Sequence, residues 1–268
     1  MIKSNFHTHT YYCDGKNSPE EIIKTAILKG FDAIGFSGHS YFEQDKDYCM
    51  SVPNQRKYID EISELKIKYK DKISIFCGIE QDYYSPSPEF DYDYIIGSVH
   101  VILKDGKFLN VDVSAESLKD AIDSHFDGEF DLFAEDYFKH VSEVVEKTNA
   151  DIVGHIDLVS KFSETLGFGQ SKKFLECAEK TVKKLAKFNI PFEINTGAMS
   201  RGARSVPYPS PEILEMIKNE GGGIMFSSDC HDEKYLDYGF DDAIKLAKGI
   251  GFTEHAVITK DGIKYKKI

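Results

Sequence analysis

A chain of 268 residues with a formal charge of −12, 41% hydrophobic and 29% charged residues, reads as a soluble globular protein with enough material for one barrel-sized core. No apolar run approaches the roughly 18 residues that a membrane span requires. The basic residues, nearly all Lys, are spread along helix-like stretches such as Lys57 to Lys72 instead of forming a phosphate-binding patch, so neither membrane nor nucleic acid is an expected partner. The start of the chain lacks the basic-then-apolar pattern of a secretory signal. The cysteines Cys13, Cys49, Cys77, Cys177 and Cys230 contain no CxxC pair, which suits free thiols in a reducing cytoplasm.

In chain order, short apolar runs predict strands at Ile2–Phe6, Ala33–Phe36, Ile73–Cys77, Tyr94–Ile96, Ile152–Val153, Pro191–Ile194 and Ile224–Phe226. Between them lie amphipathic stretches. Ser18-Pro-Glu-Glu marks a helix start, with a capping serine, Pro19 at the first helical position and Glu21 three residues after the cap, and Gly30 stands where that helix should end. Further helical periodicity covers Tyr58–Tyr69, Asp136–Thr148, Lys172–Phe188 and Asp241–Lys248, and Ser210-Pro-Glu-Ile repeats the start signal. Alternating strands and helices imply a parallel sheet with crossover helices, and about seven such units suggest a barrel related to the TIM type. The chain reads as a single domain over residues 1–268. The acidic segment Asp105–Asp131, with weak periodicity, reads as an insertion, and the tail reads as a hairpin turning at Asp261-Gly262.

The histidines decide the chemistry. His7 and His9 follow the first strand, two apart, so both side chains point to one side. His39, Glu80, His100 and His155 follow the second to fifth strands, and Asp229 and His231 follow the seventh. In a parallel barrel all of these fall on one rim, where such folds build their active sites. A nitrogen and carboxylate set without cysteine suits Zn, Mn or Fe, and eight such groups exceed the needs of one ion. Asp14, in Cys13-Asp-Gly, fits either an ordinary turn or a ligand completing a further position with His39 and His231. His125, His140 and His255 lie off the pattern and read as ordinary helix or loop residues.

At these residues the sequence resembles the PHP (polymerase and histidinol phosphatase) superfamily, and within it the histidinol-phosphatase branch. The matching motifs are Phe6-His-Thr-His-Thr, Cys13-Asp-Gly, Gly35-Phe-Ser-Gly-His, Gly78-Ile-Glu-Gln-Asp, Gly97-Ser-Val-His, Gly154-His-Ile-Asp and Ser228-Asp-Cys-His, with Phe192-Glu-Ile-Asn-Thr and Tyr208-Pro-Ser-Pro-Glu. The resemblance spans nearly the whole chain, with the motifs in order. It implies a distorted seven-stranded (β/α) barrel and three divalent ions. His7, His9, Glu80 and Asp229 would hold one, Glu80, His100 and His155 a second, and Asp14, His39 and His231 the third. It also implies hydrolysis of L-histidinol phosphate in histidine biosynthesis.

Such a site needs a protein cation for the phosphoryl group. Of the three arginines, Arg201 and Arg204 share the loop after the sixth strand, and the planar fork of Arg suits phosphate oxygens, with Arg201 the first choice. Lys161 is a further candidate. Asp82, Tyr83 and Tyr84, just beyond Glu80, are candidates to receive the amine and imidazole of the substrate. The competing readings are a PHP-type phosphoesterase acting on nucleotides or nucleic acid, an amidohydrolase-like enzyme, and a metal-storage or metal-sensing protein. The acidic balance, the surplus of ligands and the arginine pair weigh against them in turn.

Overall fold

The computed structural model describes residues 2–268. Seven parallel strands lie in sequence order, each bonded to the next: β1 (Ser4–Asn5), β2 (Ala33–Phe36), β3 (Ser74–Asp82), β4 (Tyr94–Ser98), β5 (Ile152–Val153), β6 (Phe192–Asn195) and β7 (Ile224–Ser227). Beyond β7, Cys230 pairs with Thr8, and the His9 amide donates to the Cys230 carbonyl at 3.0 Å. The sheet thereby becomes a nearly closed barrel with helices around it. All seven apolar runs are strands, and β3 continues to Asp82, so Glu80 lies within it. No described helix is long and apolar enough to cross a membrane.

Tyr94 fills the barrel interior, donating to the carbonyls of Phe6 (2.5 Å) and Phe36 (3.0 Å). Its ring fits because β2 and β3 carry glycine opposite it; a Cβ on Gly35 or Gly78 would collide with the phenol. Phe6, Phe76 and Met225 surround it together with Ala256, Val257 and Ile258 from the C-terminal hairpin, Glu254–Thr259 with Gly262–Lys267.

The Pro19–Leu28 helix has the expected capping box between Ser18 and Glu21. The second helix starts earlier than periodicity suggested, at Val52, because the Ser51 hydroxyl accepts from the Asn54 amide. Asp136–Thr148 is two helices, Phe130–Val141 and Val144–Thr148. The weakly periodic segment after β4 contains a hairpin, Val101–Lys104 with Lys107–Asn110, and the Ala115–His125 helix. Ser210 sits at the expected cap, but its hydroxyl makes no capping bond.

Candidate metal centre

The strand ends bring His7, His9, Asp14, His39, Glu80, His100, His155, Asp229 and His231 to one mouth of the barrel. His7 and His9 are fully buried, with ring centroids 5.1 Å apart. Glu80 is the hub. Its Oε2 lies 2.9 Å from His39 Nδ1, 3.2 Å from His7 Nε2 and 3.6 Å from His9 Nε2. Its Oε1 lies 2.9 Å from His155 Nε2 and 3.4 Å from His100 Nε2, and the Ser98 hydroxyl donates to it at 2.7 Å. Asp229 Oδ1 approaches His9 Nε2 at 3.0 Å and His7 Nε2 at 3.6 Å. Asp229 has φ of +46°, a left-handed conformation that Asp adopts more readily than most residues. Asp14 Oδ2 lies 3.0 Å from His231 Nε2 and 3.8 Å from His39 Nε2.

These separations suit atoms sharing a cation: ligands about 2.0–2.2 Å from one ion stand roughly 3–3.6 Å from each other. The buried His7 Nε2, His9 Nε2 and Glu80 Oε2 have no hydrogen-bond partner despite their proximity. Buried polar atoms are rarely left so, because an unsatisfied group costs about 1–3 kcal/mol. A donor set of imidazole and carboxylate, mutually close and misaligned for hydrogen bonding, is that of a divalent-cation site. The groups able to share an ion overlap: His7, His9 and Glu80; His7, His155 and Asp229; His39, Glu80 and His100; and His9, Asp14, His39 and His231. Burial pushes the Glu80 carboxyl up, but His7, His100 and His39 outweigh it and hold the group well below its usual range. For Asp229 the same contest is decided by His7 and Arg201, again toward the carboxylate.

A second layer orients these groups. Glu193, on β6, is buried and takes His7 Nδ1 at 2.5 Å, the His155 amide at 3.0 Å and the Ser227 hydroxyl at 2.5 Å. Nothing in the residue pattern singled it out beyond its place in Phe192-Glu-Ile-Asn-Thr; the available signal was a carboxylate inside an apolar strand run. Asp82, a candidate for the substrate's amine or imidazole, turns one carboxylate oxygen onto His100. It is buried, accepts from the His100 amide at 2.8 Å and faces His100 Nδ1 at 3.2 Å. Tyr83 and Tyr84 are spoken for by Glu143 (2.8 Å) and His140 (2.7 Å).

A cavity of about 210 Å³ opens onto the cluster, and beyond it the walls are Tyr48, Asp112, Val113, Leu158, Lys161 and Arg201. Arg201 donates to Asp229 Oδ2 and to the Asp229 carbonyl, both at 3.1 Å. Arg204 does not reach the cavity. It is buried, donating to Asp157 Oδ2 at 3.2 Å and Ser160 Oγ at 2.6 Å, with its guanidinium 4.4 Å from the Tyr208 ring centre. Lys161 is at the wall, but its ammonium is turned onto Asp112, 2.7 Å from the carbonyl and 3.0 Å from Oδ2. His125, His140 and His255 stand outside the cluster. A larger hollow of about 480 Å³, between the start of β3 and the C-terminal hairpin, contains no histidine.

The model of the PHP domain family matches residues 5–197. A Schizosaccharomyces pombe protein named "Probable histidinol-phosphatase" is 26% identical over 280 residues, covering 97% of this chain and 90% of the relative. The Bacillus subtilis protein named histidinol-phosphatase is 26% identical, covering 90% and 98%. Among solved structures, histidinol phosphate phosphatase of Lactococcus lactis, complexed with Zn, L-histidinol and phosphate, superposes with a TM-score of 0.73 at 23% identity over 98% of both chains. That likeness is one of fold.

Proposed function

The chain belongs to the PHP domain family, and from this premise we propose that it is a metal-dependent phosphomonoesterase hydrolysing L-histidinol phosphate to L-histidinol and phosphate. The observation that carries the reading is the Glu80-centred cluster, whose buried donors His7 Nε2, His9 Nε2 and Glu80 Oε2 lack protein partners. The cavity beside it, about 210 Å³, is smaller than the roughly 300–1,000 Å³ of drug-sized ligand sites and suits a small phosphomonoester. Relatives named for this activity align over nearly their full length.

In this reading three divalent ions are held: one by His7, His9, Glu80 and Asp229, one by Glu80, His100 and His155, and one by Asp14, His39 and His231. Bound divalent cations lower the pKa of water and neutralise phosphoryl charge. The chain's own work is orientation. Glu193 accepts a proton-bearing Nδ1 from His7 and so turns Nε2 inward as an electron-pair donor. Asp82 does the same for His100, and Ser98 fixes the Glu80 carboxylate. Arg201, anchored through Asp229, presents its remaining N–H groups to a phosphoryl oxygen at the cavity wall. The cation identity is Zn, Mn or Fe.

The test is phosphate release from L-histidinol phosphate, a dinucleotide and an aryl phosphate, run side by side with elemental analysis. Turnover of the first far above the others, with close to three metal equivalents, is the expected outcome. Preference for the dinucleotide would overturn the substrate assignment, and full activity with one equivalent would overturn the ion count.

A further inference from the structure

We propose that Asp112 is the residue that receives the ammonium group of the substrate, with Lys161 as the residue that positions it; this deepens the histidinol phosphate reading and depends on it. Beyond the ligand cluster the cavity wall carries one carboxylate, that of Asp112. A carboxylate is an odd choice in a pocket that gathers a phosphate dianion, since like charges repel and the low-dielectric wall strengthens the repulsion. It is accounted for if the same molecule brings a cation to it.

The contacts of Asp112 leave room for that cation. Lys161 engages the backbone carbonyl and Oδ2, and among the described residues nothing donates to Oδ1. The side chain keeps 24% of its surface exposed, against 13% for Lys161. Burial pushes the carboxyl up, but the Lys161 ammonium beside it outweighs this and holds it below its usual range, as a carboxylate. Lys161 therefore fixes the segment that follows the Val101–Asn110 hairpin against the segment after β5, and aims its carboxylate at the cavity. Of the two basic groups in histidinol phosphate, the aliphatic amine is the permanent cation, whereas an imidazole with a pKa near 6.5 is mostly neutral at pH 7. The ring is left to the uncharged walls Tyr48, Val113 and Leu158.

The experiment compares kcat/KM for L-histidinol phosphate with that for its deamino analogue, 3-(imidazol-4-yl)propyl phosphate. In the native enzyme the amine is worth at least tenfold. In Asp112→Asn the ratio falls toward one, Asp112→Glu restores part of it, and Lys161→Met lowers it chiefly through KM. Arg201→Ala, by contrast, lowers both substrates together and keeps the ratio. Calorimetric binding of L-histidinol, tenfold or more weaker to Asp112→Asn, reads the same contact without turnover. A ratio that survives in Asp112→Asn, or a native enzyme indifferent to the amine, overturns the proposal. A native enzyme that hydrolyses neither substrate overturns the histidinol phosphate reading itself, and this proposal with it.

Discussion

Glu193 and Arg201 show how single residues divide the labour at the site. Glu193 touches no cavity wall, yet it fixes the tautomer and tilt of His7 from behind. Glu193→Gln is expected to weaken metal binding by about 10–100-fold, the usual effect of losing such a partner; competition against a chelator reads this, and native affinity would show that His7 holds its orientation unaided. Arg201→Ala should retain its metal while kcat/KM falls by about 10²-fold or more, since a donor aimed at developing charge is worth roughly 2.7–4 kcal/mol. Arg201→Lys should recover only part, because a point charge cannot reproduce the fork. Arg204→Ala should behave differently, as its guanidinium is the buried partner of Asp157. Removing it strands a buried charge, costing about 3–5 kcal/mol of stability, seen as a lowered Tm; an unchanged Tm with lost phosphate affinity would return Arg204 to the substrate. The two arginines stand three residues apart in one loop, and the sequence put Arg201 first without excluding Arg204 from the phosphate. Arg201 lines the cavity, whereas Arg204 is held by Asp157 and Ser160 from the segment after β5, a long-range contact that sequence spacing does not report.

At the scale of elements, the strands were legible because each is a short apolar run between polar segments. Helix ends were less so. Tyr137, Phe138, Val141, Val144, Val145 and Thr148 are all buried, so the apolar period runs on through the interruption at Ser142-Glu143 and hides it. The Val101–Asn110 hairpin has its sequence signal in the Asp105-Gly106 pair. Asp105 and Gly106 both have positive φ, 50° and 76°, as a tight primed turn demands. The early start of the Val52–Lys68 helix came down to one hydroxyl. Ser51→Ala should cost about 1 kcal/mol, the typical value of a lost cap, measured by denaturant titration. A midpoint equal to that of the native protein would show that Pro53 and packing set the boundary alone.

For the molecule as a whole, the order of ligands along the chain was readable, whereas their support was not: Glu193 on β6 meets His7 after β1, and Asp82 on β3 meets His100 after β4, contacts that exist only once the barrel is formed. Acid sensitivity follows partly from a residue far from the site. His255, buried on the C-terminal hairpin against Phe226, has its pKa lowered from 6.5 to about 4, by burial first and then by Lys266. The unfolded chain takes up this proton below about pH 6.5 and the folded one resists until about 4. Stability present above 6.5 is therefore lost as pH falls through that window, by up to about 3 kcal/mol. His255→Phe should lose less Tm between pH 7 and pH 5 than the native protein; an equal loss would assign the acid sensitivity elsewhere. The seam between β1 and the segment after β7 has a consequence for how the protein is made. Thr8 meets Cys230 there, Asn5 donates to Ser228 Oγ at 2.6 Å, and the residues that face the mouth on either side are the first and last of the cluster, His7 and His9 against Asp229 and His231. A chain still on the ribosome has neither closed this seam nor assembled the set. A divalent cation held by residues from both edges would act as a clasp on the barrel, so stripping metal should speed amide exchange at His9 ahead of the strands on the far side; equal exchange with and without metal would show that the seam holds unaided.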